Sequence, residues 1–426
     1  MNGADTAWVL LSAGLVMFMT PGLALFYSGM IREKSVLNTI ALTVACLGVV
    51  ALIWAVFGYS LAFGPDAHGL IGTLSQAGLR NLATELTGPP GHRIPVFALA
   101  SFELMFAIIT VALLAGAVAE RTRFWPWLVF VALWVTIVYL PLAHWVFDPN
   151  GWMVSRLHLL DFAGGTAVEV NSGAASLALA VVVGKRLGWP REQPRPHNLP
   201  MVMLGAGILW FGWFGFNAGS ALAADGLAAT AFLNTMLAGG TGLLGWLIIE
   251  QRRDGKPTTL GAASGAVAGL VGITPACGFV EPLGGAAIGL AAGIVAALAI
   301  RIKYRLGFDD SLDVVAVHGI GGLTGLLATG LLATTAVNTA GANGLLYGGG
   351  FTQLGRQALA ALVTIAHSGL LTLAIALLVD KTLGLRVTSE VELGGIDEGE
   401  HAETAYDHGR FATRQSALAG QTHVSR

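Results

Sequence analysis

Eleven apolar stretches leave this chain almost no choice of fold. They run near residues 6 to 30, 37 to 63, 95 to 119, 125 to 146, 162 to 184, 199 to 221, 227 to 249, 258 to 277, 283 to 300, 314 to 334 and 355 to 379. Each is long enough to cross a hydrocarbon core that takes about 20 helical residues. Backbone amides and carbonyls surrounded by lipid must pair within their own segment, so such stretches fold as helices. With 54% hydrophobic and 11% charged residues, the chain falls among all-α polytopic membrane proteins and away from soluble enzymes. An odd number of spans puts the two termini on opposite sides of the bilayer.

The short loops orient the bundle. Arg32 and Lys34, Arg121 and Arg123, Lys185 to Arg195, Arg252 to Lys256, and Arg301 to Arg305 fall on alternate connections, which hold 14 of the 23 Lys and Arg residues. The positive-inside bias places these loops in the cytoplasm, the N-terminus outside and the C-terminus inside. The first apolar stretch carries Asp5 and no basic lead, so a cleaved signal peptide is not expected. Cys46 and Cys277, isolated in apolar context, read as packed thiols.

Ionisable residues inside a membrane are expensive and mark function. Asp161 and Glu169 stand eight residues apart in the fifth stretch, and Asp310 and His318 stand eight apart in the tenth. Eight residues at helical rise carry the chain about 12 Å inward, from opposite faces if helices one to five and six to ten form an inverted repeat with the eleventh added. Glu169 and His318 then meet near the midplane, where secondary transporters and channels hold substrate. Glycines recurring every four residues, at Gly261, Gly265 and Gly269 and again at Gly285, Gly289 and Gly293, predict close helix packing and nothing more.

The sequence also carries longer signatures: Phe26-Tyr27-Ser28-Gly29-Met30-Ile31-Arg32, Ala119-Glu120-Arg121, Asp161-Phe162-Ala163-Gly164-Gly165-Thr166, Trp213-Phe214-Gly215-Phe216-Asn217-Ala218-Gly219-Ser220, and Asp309-Asp310-Ser311-Leu312-Asp313 through His318-Gly319. Together these resemble the Amt/MEP/Rh ammonium transporter family. The likeness runs along most of the membrane region and into the tail. It implies a homotrimer in the cell membrane, each protomer having eleven helices and its own narrow pore.

The resemblance assigns roles residue by residue. Phe102, Phe147 and Ser220 match its outer cation-recruitment positions, with Asp161 the acidic residue that supports them. Aromatic faces attract a desolvated cation by roughly 0.5 to 2 kcal/mol. Phe147 stands where the family usually has Trp, the stronger partner. Phe106 and Phe216 match the stacked pair that closes the pore, and Trp213 matches a pore-wall position. Read without the resemblance, these aromatics are anchors or core, and Asp161 and Asp310 are natural helix caps. Tyr27 and Asp310 are taken as structural groups near the pore. Glu169 occupies the place of the first of two pore histidines, making the relay a Glu169–His318 pair; a chiefly fungal subset shares the acidic residue.

Three further polar residues invite rival readings. Glu103, beside Phe102, is expected to make a helix–helix hydrogen bond, His367 a helix or protomer contact, and His144 a cap or packing contact.

The expected organisation is a membrane domain over residues 1–380 and a cytoplasmic regulatory tail over 381–426, loose beyond about 410. Gly394-Gly395-Ile396-Asp397 and His401-Ala402-Glu403-Thr404-Ala405-Tyr406 resemble the family's tail, which in bacterial members responds to PII-type nitrogen signal proteins. No G-x-x-x-x-G-K-[ST] loop, H-E-x-x-H or G-x-S-x-G is present, so neither ATP-driven pumping nor an enzyme is expected, and no cofactor, metal or nucleic-acid partner. The expected activity is passage of ammonium or methylammonium down its gradient, with deprotonation on the way. The rival is an ammonium sensor of low conduction that signals through the tail.

Overall fold

The computed structural model describes residues 1–192 and 195–406, so the expectation for the end of the tail lies outside the described residues. Ten helices are long and apolar enough to cross a membrane: α1 (Gly3–Met30), α2 (Glu33–Phe63), α3 (Val96–Ala117), α4 (Phe124–Ser155), α5 (Gly165–Val183), α6 (Leu199–Gly219), α7 (Gly226–Asp254), α9 (Pro282–Leu306), α10 (Val315–Leu332) and α11 (Thr352–Leu383). Between α7 and α9 lies α8 (Thr259–Ile273), which is 15 residues long and therefore shorter than its apolar stretch promised. Its end has a local cause: Pro275 has no amide to donate and its ring clashes with the helical carbonyl behind it. The unwound turn is put to use, because the Pro275 carbonyl accepts the Phe162 amide at 3.1 Å.

α3 is the central helix, with 78% of its span buried, whereas α2, at 28%, turns mostly outward. α1 packs most extensively along α6, and α7 along α8 and α9. Glycine makes the second of these contacts: a Cβ at Gly269 would collide with the Ala238 carbonyl, and one at Gly293 with Gly242. Backbones thus touch directly, as small-residue ridges allow. The chain between α2 and α3 forms two short antiparallel hairpins.

At the end of the bundle where the tail packs, a buried ionic network joins four loops. Glu120 meets Arg32 and Arg186, each at 2.6 Å, and Arg186 reaches Asp309 at 2.9 Å. Arg121 beside it donates to the Asp309 carbonyl and to Ser311 Oγ, each at 2.5 Å.

The tail folds back as two short helices, α12 (Ser389–Gly394) and α13 (Ile396–His401). α2 and α4 start without a side-chain cap from their own flanking residues. Asp397 supplies one, accepting the Leu37 and Asn38 amides at 3.0 and 2.8 Å, and Glu400 accepts the Phe124 amide at 3.0 Å. Glu392 accepts the Leu187 amide at 2.6 Å and pairs with Arg386. A tail read as acidic and hydrophilic is therefore a set of caps for helices made hundreds of residues earlier.

Candidate transport pore

The site is built where α3 and α6 face each other across the bundle. Phe102 and Phe106, four apart, project from one face of α3 with ring centroids 4.8 Å apart. Phe106 stacks on Phe216 of α6 at 4.2 Å, its planes tilted by 31°, and meets Phe147 of α4 edge-on at 6.1 Å. Phe102, Phe106 and Phe216 are each about 1% exposed, so the rings plug the passage. Ser220, one turn beyond Phe216, donates its hydroxyl hydrogen to the Phe216 carbonyl at 2.8 Å and leaves its oxygen lone pairs available. Trp213 completes the column, 5.5 Å from Phe216 and held by its Nε1–H donating to Thr274 Oγ1 at 2.9 Å.

Asp161 sets the geometry of this end. Its Oδ1 accepts the Gly164 and Gly165 amides at 2.8 and 2.7 Å, and its Oδ2 accepts the Thr166 amide at 2.6 Å. These are the donors that the start of α5 would otherwise leave unpaired. Gly164 has φ of 102°, and a Cβ there would press on Val168 and on Phe147 at 3.1 Å, so only glycine lets the capped turn meet the vestibule ring.

Below the phenylalanines lies a narrow cavity of about 10 Å³, little more than the room one water-sized molecule needs. Its wall is apolar, contributed by Met19, Leu23, Phe26, Ile109, Leu113, Val168, Leu209 and Val267 besides Trp213 and Phe216, and its polar lining is Glu169 and His318. These two stand 2.6 Å apart, His318 Nδ1 to Glu169 Oε2, and are 4% and 1% exposed. One proton between them satisfies the contact from either side, as N–H to carboxylate or as carboxyl O–H to imidazole. The pair can therefore take up a proton on one side and yield it on the other.

Asp310 mirrors Asp161, its Oδ2 accepting the Val315 amide at 2.7 Å. α5 and α10 both open with a six-residue π-helical turn, Gly165–Val170 and Val315–Ile320, that carries the ionisable residue. The wider π turn is frequent at functional sites. The turn of α10 touches α5 through glycine, since a Cβ at Gly173, just past the first turn, would overlap Gly319. Tyr27 lies outside the cavity wall, its hydroxyl donating to the Leu113 carbonyl at 3.1 Å, and it is 1% exposed.

The other polar residues separate. His144 is fully buried and bonds Ala62 O at 2.8 Å and Asp66 at 2.9 Å, a packing role. His367 makes a helix contact, to the Val138 carbonyl at 3.1 Å. The hydrogen bond expected of Glu103 is absent among the described residues: its carboxyl is buried in the bundle with no protein partner. Phe26, Ile109, Leu113 and Val168 were not singled out from the sequence, where nothing distinguishes a lumen-facing apolar residue from any other in a span.

A bundle of membrane-length helices around a narrow, largely apolar cavity with one buried Glu–His contact is the architecture of a membrane transport protein. The chain belongs to the ammonium transporter family, whose model matches residues 7–406. An ammonium transporter of Mycobacterium tuberculosis is 53% identical over 432 residues, covering 95% of this chain and 91% of that protein. One of Bacillus subtilis is 45% identical over 95% of this chain and 99% of its own. Among solved structures, that of Saccharomyces cerevisiae Mep2 superposes with a TM-score of 0.84 at 36% identity, covering 92% of this chain and 88% of that one. A structure described as a sensor Amt protein superposes at 0.85 with 30% identity, covering 93% and 98%.

Proposed function

We infer that this chain carries ammonium across the membrane through the pore described, and that it does so by stripping and then separately moving a proton. The cation is recruited at Phe102, Phe147 and Ser220, where ring faces and a hydroxyl oxygen replace lost water, with Asp161 acting through the turn it caps. Beneath Phe106 and Phe216 a neutral molecule enters a lumen that offers it no charge until Glu169 and His318, and this pair relays the proton. The observation that carries the reading is the Phe106–Phe216 stack standing directly over an apolar cavity that contains a buried Glu–His contact.

The same reading places the N-terminus outside and the tail in the cytoplasm. In its favour, the tail packs on loops bearing Lys34, Arg123 and Arg186, so the basic connections share one side. The matched π turns of α5 and α10 favour an inverted repeat of helices one to five and six to ten. The reading extends to assembly as a homotrimer, acceptance of methylammonium and recognition of the tail by a PII-type protein, each supported by family membership.

The test is current recorded on vesicles holding the purified protein after an ammonium pulse. Glu169→Gln, which cannot pass a proton, should reduce the steady current by about 100-fold, the scale of an acid–base contribution. An unchanged current would remove Glu169 from the relay, and no current or flux in the parent would remove transport itself.

A further inference from the structure

The cavity beneath the phenylalanine stack is small enough for size to decide what crosses it. Its volume of about 10 Å³ is close to the least that holds one water. Ammonia, with one heavy atom like water, fits such a space. Methylamine, with two, fits only when part of the wall gives way. Phe106 and Phe216 have to part for either molecule, so the stack alone does not tell them apart. The cavity below does, through whichever side chain yields.

The wall is uneven in its capacity to yield. Its apolar residues are branched aliphatics such as Ile109 and Val168, or aromatic rings, with one exception. Met19 is the single unbranched apolar side chain among the described residues that line the cavity. A methionine has three rotatable bonds and a polarisable thioether, and it refits to irregular gaps where stiffer side chains cannot. It is 1% exposed, so it belongs to the packed wall and not to the lipid face. Its stem also has a defined seat where α1 runs along α6. A Cβ at Gly212 would collide with Met19 Cγ and stand 3.1 Å from its Sδ, so Met19 occupies a notch that any larger residue at 212 would fill. With Cγ and Sδ held against α6, the terminal methyl is the part left to move.

We propose that Met19 sets the upper size limit of the pore: its terminal methyl turns aside for a molecule one carbon larger than ammonia, and the difficulty of that turn separates methylammonium from ammonium. This rests on the reading of the cavity as the transport lumen. One extra carbon at a fitted apolar site changes passage by about tenfold or more, so the wall is a sufficient source of selectivity. Met19 is a specificity residue that meets the cargo and takes no part in moving the proton.

The experiment measures uptake of isotope-labelled ammonium and methylammonium into vesicles of full-length protein, for the parent, Met19→Ala and Met19→Leu. The quantity read is the ratio of methylammonium to ammonium uptake, which a general loss of folded protein does not move. Met19→Ala, which opens the wall, should raise the ratio about tenfold. Met19→Leu keeps the volume but replaces a flexible chain by a branched one, and should lower the ratio about threefold or more. Shifts in these opposite directions support the proposal, and a parental ratio in either variant overturns it. If Met19→Ala yields no folded protein, Met19→Leu decides on the same terms. A parent that takes up neither compound overturns the transport reading and this proposal with it; a parent that takes up ammonium, with variants that keep its ratio, overturns this proposal alone.

Discussion

At the scale of single residues, the vestibule shows how little separates an ordinary core from a binding surface. Phe147 lies beside Gly164 and contacts Phe106 edge-on, in a place where a larger indole would present a stronger quadrupole to the cation. Phe147→Trp should therefore lower the half-saturating ammonium concentration by about two- to fivefold, the worth of a better cation–π partner, and concentration–current curves would reveal it. The residues of the proposed site were legible in the sequence for two separate reasons. Glu169 and His318 stood out as ionisable groups in lipid. Phe102, Phe106, Phe147, Phe216 and Ser220 were legible through the family's motifs alone, since an aromatic in a span has no local mark of facing a lumen. Glu103 shows the opposite failure: charge made it visible, but the bland expectation of a helix–helix hydrogen bond was wrong, because no partner stands opposite it.

At the scale of elements, hydropathy located the spans well and their ends poorly. The eighth apolar stretch continues through Thr274, Pro275 and Ala276, yet the helix stops at Ile273 because proline overrides hydropathy. The π turns that open α5 and α10 have no sequence signal beyond the Asp residues that cap them. That the tail caps helices could not be seen in its sequence, because its partners lie hundreds of residues away, at helix starts that gave no hint of lacking caps. Asp397→Asn weakens one of those caps. It should cost about 1 kcal/mol of local stability, and hydrogen exchange should speed up in the first turn of α2 and in residues 389–406 while the amides around Glu169 stay protected. Unchanged exchange at Leu37 and Asn38 would show that the contact holds nothing.

At the scale of the whole molecule, the buried ionic network ties four loops together, from the one after α1 to the one before α10. Burial pushes the Glu120 carboxyl up, but Arg186 and Arg32 outweigh it and hold it below the usual carboxylate value; for Asp309, burial is likewise outweighed by Arg186 and Arg121. Groups depressed in this way contribute stability in full above their unfolded values, about 4, and lose it as pH falls through the folded ones. Melting temperature should accordingly be flat between about pH 6 and 8 and drop in acid. Glu120→Gln, which takes the shared carboxylate from Arg32 and leaves Arg186 paired with Asp309 alone, should cost about 1–3 kcal/mol at neutral pH and shrink the acid-dependent part of the melting curve. A variant as stable as the parent, with the same acid limb, would mean that the network is ornamental.

The capping of α2 and α4 by Asp397 and Glu400 also has a consequence in time. A ribosome delivers these helices to the membrane long before it reaches the tail, so the earliest-made part of the protein waits, uncapped at one end, for residues near 400. A chain whose synthesis stops after α11 holds all ten of the long apolar helices described, yet exposes unpaired amides where one that reaches the tail has carboxylates. Interrupted and tail-bearing copies thus differ chemically at two helix starts.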